Sequence, residues 1–313
     1  MAIMNAIVLD LVFIRYTKKQ VTVATFTFSG AESLLLARRR FHAYHTLGKT
    51  TQAAFVHVPK CGGTSLWSAL NASAAAAKLR IQPSDSNRLK SGVYDLVGQQ
   101  HLYFSEILAD WVYQDNKQLE DDYRNTSIDR PSNRLYIVLL RNPIERIKSH
   151  YSYVQGYCSP NPGENAPMTG KLQHAHHDCH FFHGRKPDEI VRMIADGYLI
   201  RSLLSTTTRH QGTDLLACCT NKAELEEAKA NLRESFIVGV LDEIQKFQVV
   251  LDCYLWWYSN DKNMEKRNKS PRAAFFDHVS RPLWEHATQL DMQLYEYAKE
   301  LLQVDYELCT SDT

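Results

Sequence analysis

At 313 residues the chain is long enough for one large α/β domain or two small ones, and its 44% apolar content allows a sizeable core. With 36 Lys and Arg against 35 Asp and Glu, bulk charge is nearly neutral. That balance gives no global pull toward nucleic acid, so any attraction for an anion has to be local.

The stretch Ala2 to Ile14 is apolar apart from Asn5 and Asp10. It is too short for a membrane span, which needs roughly 20 residues. Its basic residues, Arg15, Lys18 and Lys19, follow the run, whereas a signal peptide carries them before it. Membrane attachment is left open by this reading. Gln20 to Ser29 alternates like a strand, and Ala31 to His45 reads as a helix bearing Arg38, Arg39 and Arg40. Residues 1–50 are read as an N-terminal extension and 51–313 as the main domain.

Four short apolar segments follow as predicted strands, at 54–58, 93–97, 135–140 and 236–240. Helical patterns separate or follow them at about 64–79, 144–154, 188–204, 222–233, 244–258 and 282–302. Strands alternating with helices predict an α/β fold with a mostly parallel sheet covered on both faces. Ligands of such sheets bind beyond the carboxyl ends of the strands. Residues 156–187 are the longest segment without periodicity, a length usual for functional or disordered loops.

Two motifs stand at such strand ends. The first, Phe55-Val56-His57-Val58-Pro59-Lys60-Cys61-Gly62-Gly63-Thr64-Ser65-Leu66, runs a strand through a glycine turn into a helix. That junction gathers free backbone N–H groups and the positive end of a helix dipole around an anion, usually phosphate. The glycines allow close approach, and the Thr64 and Ser65 hydroxyls can each donate to an oxygen. Lys60 precedes the glycines, whereas in the G-x-x-x-x-G-K-[ST] loop of nucleotide hydrolases it follows them. The second motif begins as the continuous run Leu135 to Leu140 ends, with Arg141-Asn142-Pro143-Ile144-Glu145-Arg146-Ile147-Lys148-Ser149. Pro143 suits a helix start, and Ser149 lies about two turns along. Arg141 and Ser149 together suit a second phosphate.

The pair K-x-G-G-T-S and R-N-P-x-x-R-x-x-S resembles the 5′-phosphosulfate and 3′-phosphate loops of the sulfotransferases that use 3′-phosphoadenosine 5′-phosphosulfate (PAPS). The form His57-Val58-Pro59-Lys60-Cys61-Gly62-Gly63-Thr64-Ser65-Leu66 is most similar to the carbohydrate branch, with the heparan sulfate 2-O- and 6-O- and uronyl 2-O-sulfotransferases. The segments 235–243, 268–272 and 294–298 also look like that branch, so the resemblance covers about residues 54–303.

What it implies is a P-loop-type, sulfotransferase-like fold and transfer of a sulfuryl group from PAPS to a carbohydrate hydroxyl, on an acceptor that is itself anionic in some relatives. Lys60, Cys61, Gly62, Gly63, Thr64 and Ser65 would bind the 5′-phosphosulfate, with Lys60 also stabilising the leaving phosphate. Arg141 and Ser149 would bind the 3′-phosphate. His101, behind the strand at 93–97, corresponds to the family's general base, and an imidazole titrating near neutrality suits that work; Glu106 is the next candidate. Arg146 either contacts the ligand or salt-bridges Asp242 or Glu243. Lys269 and Arg272 form either a solvated basic loop or a flap over the cofactor or acceptor. The family implies no metal and places the enzyme in the Golgi lumen, with a cytoplasmic location as the alternative reading. No nucleic-acid partner is expected, and oligomeric state is not legible.

Other features carry less. The tract from His174 to His180, with His183, has zinc-ligand residue types but no second spaced pair, so acceptor contacts or a polar loop compete with metal. Cys61 is read as a free thiol. Cys158 and Cys179 flank a loop and would pair in an oxidising lumen; Cys218 and Cys219 are adjacent and pair elsewhere if at all. Asn71, Asn125 and Asn268 head N-x-[ST] triplets, of which Asn125 is the best glycan acceptor and Asn71, on a predicted helix, a poor one. Two competing functions remain on the sequence: a catalytically silent nucleotide-phosphate-binding scaffold and a sulfotransferase for a small non-carbohydrate molecule. A P-loop kinase is disfavoured, because Arg141-Asn142-Pro143 stands where an acidic magnesium ligand belongs.

Overall fold

Continuous apolar runs make strands that must be buried on both faces, and two such runs form the centre of the sheet here. The computed structural model describes residues 8–16, 21–29, 52–81, 95–98, 134–158, 186–195, 197–204, 220–259 and 281–310. Strands β3 (Gln52–Val56), β4 (Leu96–Gly98), β5 (Arg134–Leu140) and β6 (Phe236–Val240) form one all-parallel sheet in the order β4-β3-β5-β6. Every residue from Ala53 to Val56 and from Leu135 to Leu140 is buried. Successive strand side chains point to opposite faces, so both faces of these two strands are covered, as predicted.

The first two strands stand apart in topology. Strands β1 (Val8–Tyr16) and β2 (Val21–Ser29) form a separate antiparallel pair, with Val8 opposite Ser29 and Tyr16 opposite Val21. The apolar stretch that left the membrane question open is therefore, from Val8 onward, one half of a hairpin. Among the described residues no helix is long and apolar enough to cross a membrane. The helix expected at 31–45 lies outside the described residues.

Helices flank the sheet: α1 (Gly63–Ala76), α2 (Pro143–Cys158), α3 (Pro187–Ala195), α4 (Tyr198–Arg201), α5 (Lys222–Ser235), α6 (Ile244–Tyr254), α7 (Arg281–Ala287) and α8 (Gln289–Thr310). Two of these helices, α2 and α5, start where a side chain accepts the orphan first-turn N–H groups. Asn142 Oδ1 accepts from Ile144 and Glu145 at 3.0 and 3.3 Å, and Asn221 with Glu224 forms a reciprocal capping box at the start of α5. The single helix predicted at 188–204 is split, because Gly197 takes a left-handed φ of 58° between α3 and α4. The pattern predicted at 282–302 is likewise two helices, the second reaching Thr310.

Helix α8 ties the C-terminal half together. Cys309 on α8 is disulfide-bonded to Cys253 on α6, and the Tyr254 hydroxyl donates to Asp305 Oδ1 at 2.6 Å beside it. This pair was not anticipated from the sequence, and the expected partner of Cys158, Cys179, lies outside the described residues, as do Cys218 and Cys219. At the other end of α8, buried Asp291 accepts the Leu199 and Ile200 N–H groups at 3.1 and 3.2 Å, capping α4 from a distant helix.

Candidate active site

The strand order creates the site. From β3 the chain passes through α1 to β4 on one side, then returns to place β5 on the other side of β3. The connections leaving β3 and β5 thus diverge, and the crevice beyond those two carboxyl ends is where open α/β sheets bind ligands. Lys60 to Ser65 follow β3, and Arg141 follows β5.

The loop after β3 is tightly folded. Cys61 N–H donates to the Val58 carbonyl at 3.4 Å, and the Ser65 and Leu66 N–H groups close on the Gly62 carbonyl at 3.1 and 3.2 Å to start α1. Lys60 and Gly62 both take left-handed backbone angles, φ 67° and 86°. Such a conformation is unfavourable for a lysine, and residues held this way cluster at ligand sites. Space explains the glycines further. A Cβ on Gly62 would lie 2.9 Å from Leu241 Cδ1, and one on Gly63 would lie 2.0 Å from His57 Cδ2. His57 cannot easily retreat, since it is buried and stacked on Phe55 at 5.5 Å, with Phe55 in turn stacked on Trp67 at 6.0 Å. The wall formed by Leu241, just beyond β6, was not legible in the sequence.

No side chain caps α1, and its first turn holds no acidic residue. The first N–H groups of a helix have no acceptor within it, so the positive end of α1 is left for an external anion. Thr64 and Ser65 are half-buried in that turn. Two cations lie in the adjoining loops. Arg141 Nη1 donates to the Lys60 carbonyl oxygen at 3.4 Å, joining the two loops directly. Burial first, and the Arg141 charge second, lower the Lys60 ammonium to about 8. An anion in the crevice would relieve both effects.

Cys61 is fully buried and free, and burial pushes its thiol up to about 12 despite opposing contributions from Arg146, Arg141 and the Arg141 backbone N–H. It is a neutral part of the core, so what it offers a ligand is backbone alone. Ser149 is half-buried on α2, one turn beyond Glu145. Glu145 itself bridges two cations, with Arg141 Nη2 at 3.9 Å from Oε2 and Lys148 Nζ at 2.6 Å from Oε1.

Arg146 has neither role expected of it. It is fully buried, with Nη2 donating to the Ile194 carbonyl, Nη1 3.4 Å from His150 Nδ1 and its guanidinium 4.1 Å over the Tyr198 ring. Its charge is opposed by buried Asp291, which burial raises to about 6 against the pull of Arg146. Asp242 instead accepts from the Tyr295 hydroxyl at 2.7 Å, and Glu243 pairs with Lys246 at 2.6 Å. On α2 Arg146 falls on the inward face with the buried Ile147, His150 and Tyr151.

His101, Glu106, Lys269, Arg272 and the histidine tract at 174–183 lie outside the described residues, as do Asn125 and Asn268. Asn71 is on α1, as expected, with its Oδ1 buried.

The chain is 25% identical over 284 residues to heparan-sulfate 6-O-sulfotransferase 1-B of Danio rerio and 26% identical over 285 residues to heparan-sulfate 6-O-sulfotransferase 1 of Homo sapiens. The chain is a distant homologue of the heparan-sulfate 6-O-sulfotransferases. In both cases the similarity takes in 81% of this chain and 66% of the relative, so the chain spans just under two thirds of these relatives' length. No protein-family model matches it. The homologues are carbohydrate sulfotransferases by name, and the four-stranded parallel sheet flanked by helices agrees with a sulfotransferase fold.

Proposed function

We propose that the chain is a sulfotransferase that moves the sulfuryl group of PAPS to a hydroxyl of a carbohydrate acceptor. One observation carries this reading beyond homology: Arg141 reaches the Lys60 carbonyl, so the loops after β3 and β5 make one cationic crevice at the switch point of the sheet. The residues there fit the cofactor. An uncapped helix start, a lysine and an arginine suit a ligand with phosphates at two positions, and the buried thiol of Cys61 offers it no competing nucleophile.

PAPS would supply the sulfuryl group and a stable nucleotide leaving group. The chain's own residues do the remaining work. The Gly62–Ser65 turn, with Lys60, holds the 5′-phosphosulfate and meets the negative charge that grows on the leaving phosphate oxygen. Preorganised charge of this kind is usually the largest catalytic contribution, because it needs no reorganisation during reaction. Arg141 and Ser149 hold the 3′-phosphate and set the register of the nucleotide. His101 takes the proton of the acceptor hydroxyl. Residues 1–50 act as an extension to the catalytic domain at 51–313.

The acceptor is read as a glycan, and an anionic one on the model of the heparan sulfate that the relatives' names give them. A Golgi lumen location accords with those relatives and with the Cys253–Cys309 disulfide, since disulfides persist in oxidising compartments. Two measurements test the proposal. Adenosine 3′,5′-bisphosphate should raise the melting temperature strongly, while ATP with magnesium hardly changes it; equal shifts would remove the basis for PAPS. Radiolabelled PAPS offered with a panel of desulfated glycans should then transfer label to at least one of them.

A further inference from the structure

The Arg141 side chain, read above as a holder of the 3′-phosphate, already has an anion beside it. Glu145 lies four positions after Arg141 and four before Ser149, so it sits midway along the stretch of chain that carries the two groups read as holding the phosphate, with its carboxylate against Arg141. Its two oxygens are divided: Oε2 is 3.9 Å from Arg141 Nη2, and Oε1 is 2.6 Å from Lys148 Nζ. The Arg141 contact is long and half exposed, with 46% of the Glu145 side chain open to solvent. Such a pair is weak in water and readily exchanged. A phosphate dianion offers Arg141 two parallel, charge-assisted hydrogen bonds and therefore displaces it.

We infer that Glu145 is an internal competitor for the 3′-phosphate, occupying Arg141 when the nucleotide is absent and withdrawing to Lys148 when it binds. The inference rests on the reading of the crevice as a PAPS site. Its consequence is a specific discount on affinity: the carboxylate opposes binding of any nucleotide whose 3′-phosphate comes between Arg141 and Ser149. A nucleotide without that phosphate does not meet it. Glu145 thereby keeps the spent bisphosphate from being held too tightly.

The test compares two ligands on the full chain by calorimetry, for wild type, Glu145→Gln and Arg141→Ala. Glutamine keeps the shape and removes the charge. Glu145→Gln should bind adenosine 3′,5′-bisphosphate about 3–10-fold more tightly, and adenosine 5′-monophosphate with affinity unchanged within about twofold. A role of Glu145 confined to helix stability, through its place in the first turn of α2, would change the unliganded melting temperature and leave the ratio of the two affinities alone. Arg141→Ala should weaken the bisphosphate by more than it changes the monophosphate. If Arg141→Ala leaves bisphosphate affinity unchanged, the site reading fails and the inference with it. If Arg141→Ala weakens binding but Glu145→Gln also weakens it, or leaves it unaltered, the site stands and the competitor role is overturned, Glu145 then serving to orient Arg141 or doing nothing for the ligand.

Discussion

Arg141 Nη1 and the Lys60 carbonyl oxygen lie 3.4 Å apart, and the charge of that permanently protonated guanidinium acts on a lysine ammonium that can lose its proton. Lys60 is lowered from 10.5 to about 8 by burial and by Arg141. Between those two values the unfolded chain holds a proton that the folded chain has released, so this group makes folding more favourable as pH rises through that window. An anion beside Lys60 reverses the effect by favouring the charged form.

Binding of adenosine 3′,5′-bisphosphate at a pH of about 8.5 should therefore take up protons, since phosphate groups are already fully ionised there. Affinity should be highest between about 6, where the phosphates finish ionising, and about 8, and decline above it. Calorimetry in two buffers of different ionisation enthalpy measures the uptake. It should vanish in Lys60→Met, and uptake persisting in that variant would place the titrating group elsewhere.

Lys60 and Ser149 should fail in different ways. Lys60→Ala removes the charge that meets the leaving phosphate, and kcat should fall by about 10²–10³-fold, the scale of losing one preorganised donor. Ser149→Ala deletes a hydrogen bond to a charged group, worth roughly 1.5–3 kcal/mol, and should act chiefly on the KM for PAPS with kcat kept. Steady-state kinetics separates the two, and the opposite pattern would exchange their roles.

For His101 the expected signature is in the pH dependence. His101→Ala should leave bisphosphate binding intact while turnover drops about 10²–10⁴-fold, the usual contribution of a positioned base. The ascending limb of the wild-type pH–rate profile near the histidine range should be missing in the variant. Full activity of His101→Ala would pass the role to Glu106 or another histidine.

The Cys253–Cys309 bond closes a loop with a sequence separation of 56 residues between α6 and α8. Opening it should cost about 2–4 kcal/mol of stability, mainly through the freedom regained by the unfolded chain. Denaturant unfolding with and without a thiol reductant measures this. Wild type should shift to lower denaturant on reduction, and Cys253→Ala should begin at a lower midpoint and shift less on reduction than wild type does.

The fold is most legible in the sequence where the chemistry is local. A continuous apolar run such as Leu135 to Leu140 has no polar face to offer solvent, so a strand buried on both sides is the outcome its side chains permit. Gly62 and Gly63 declare a turn because glycine supplies the left-handed backbone at Gly62 and the room beside His57 at Gly63, and the helix after it follows from its own periodicity. What the sequence could not supply was which distant group faces which. That Lys60 and Arg141, 81 positions apart, share one hydrogen bond follows from the β4-β3-β5-β6 order, which only the assembled sheet decides. Arg146 carries the same lesson in reverse. As a charged residue near a phosphate motif it looked like a ligand or a surface ion-pair partner, yet packing of α2 against α3 and α4 turns it inward over Tyr198. The partners of Asp291 and Cys309 were equally illegible, because capping α4 and bonding α6 depend on where α8 lies, and long-range packing, not local propensity, fixes that.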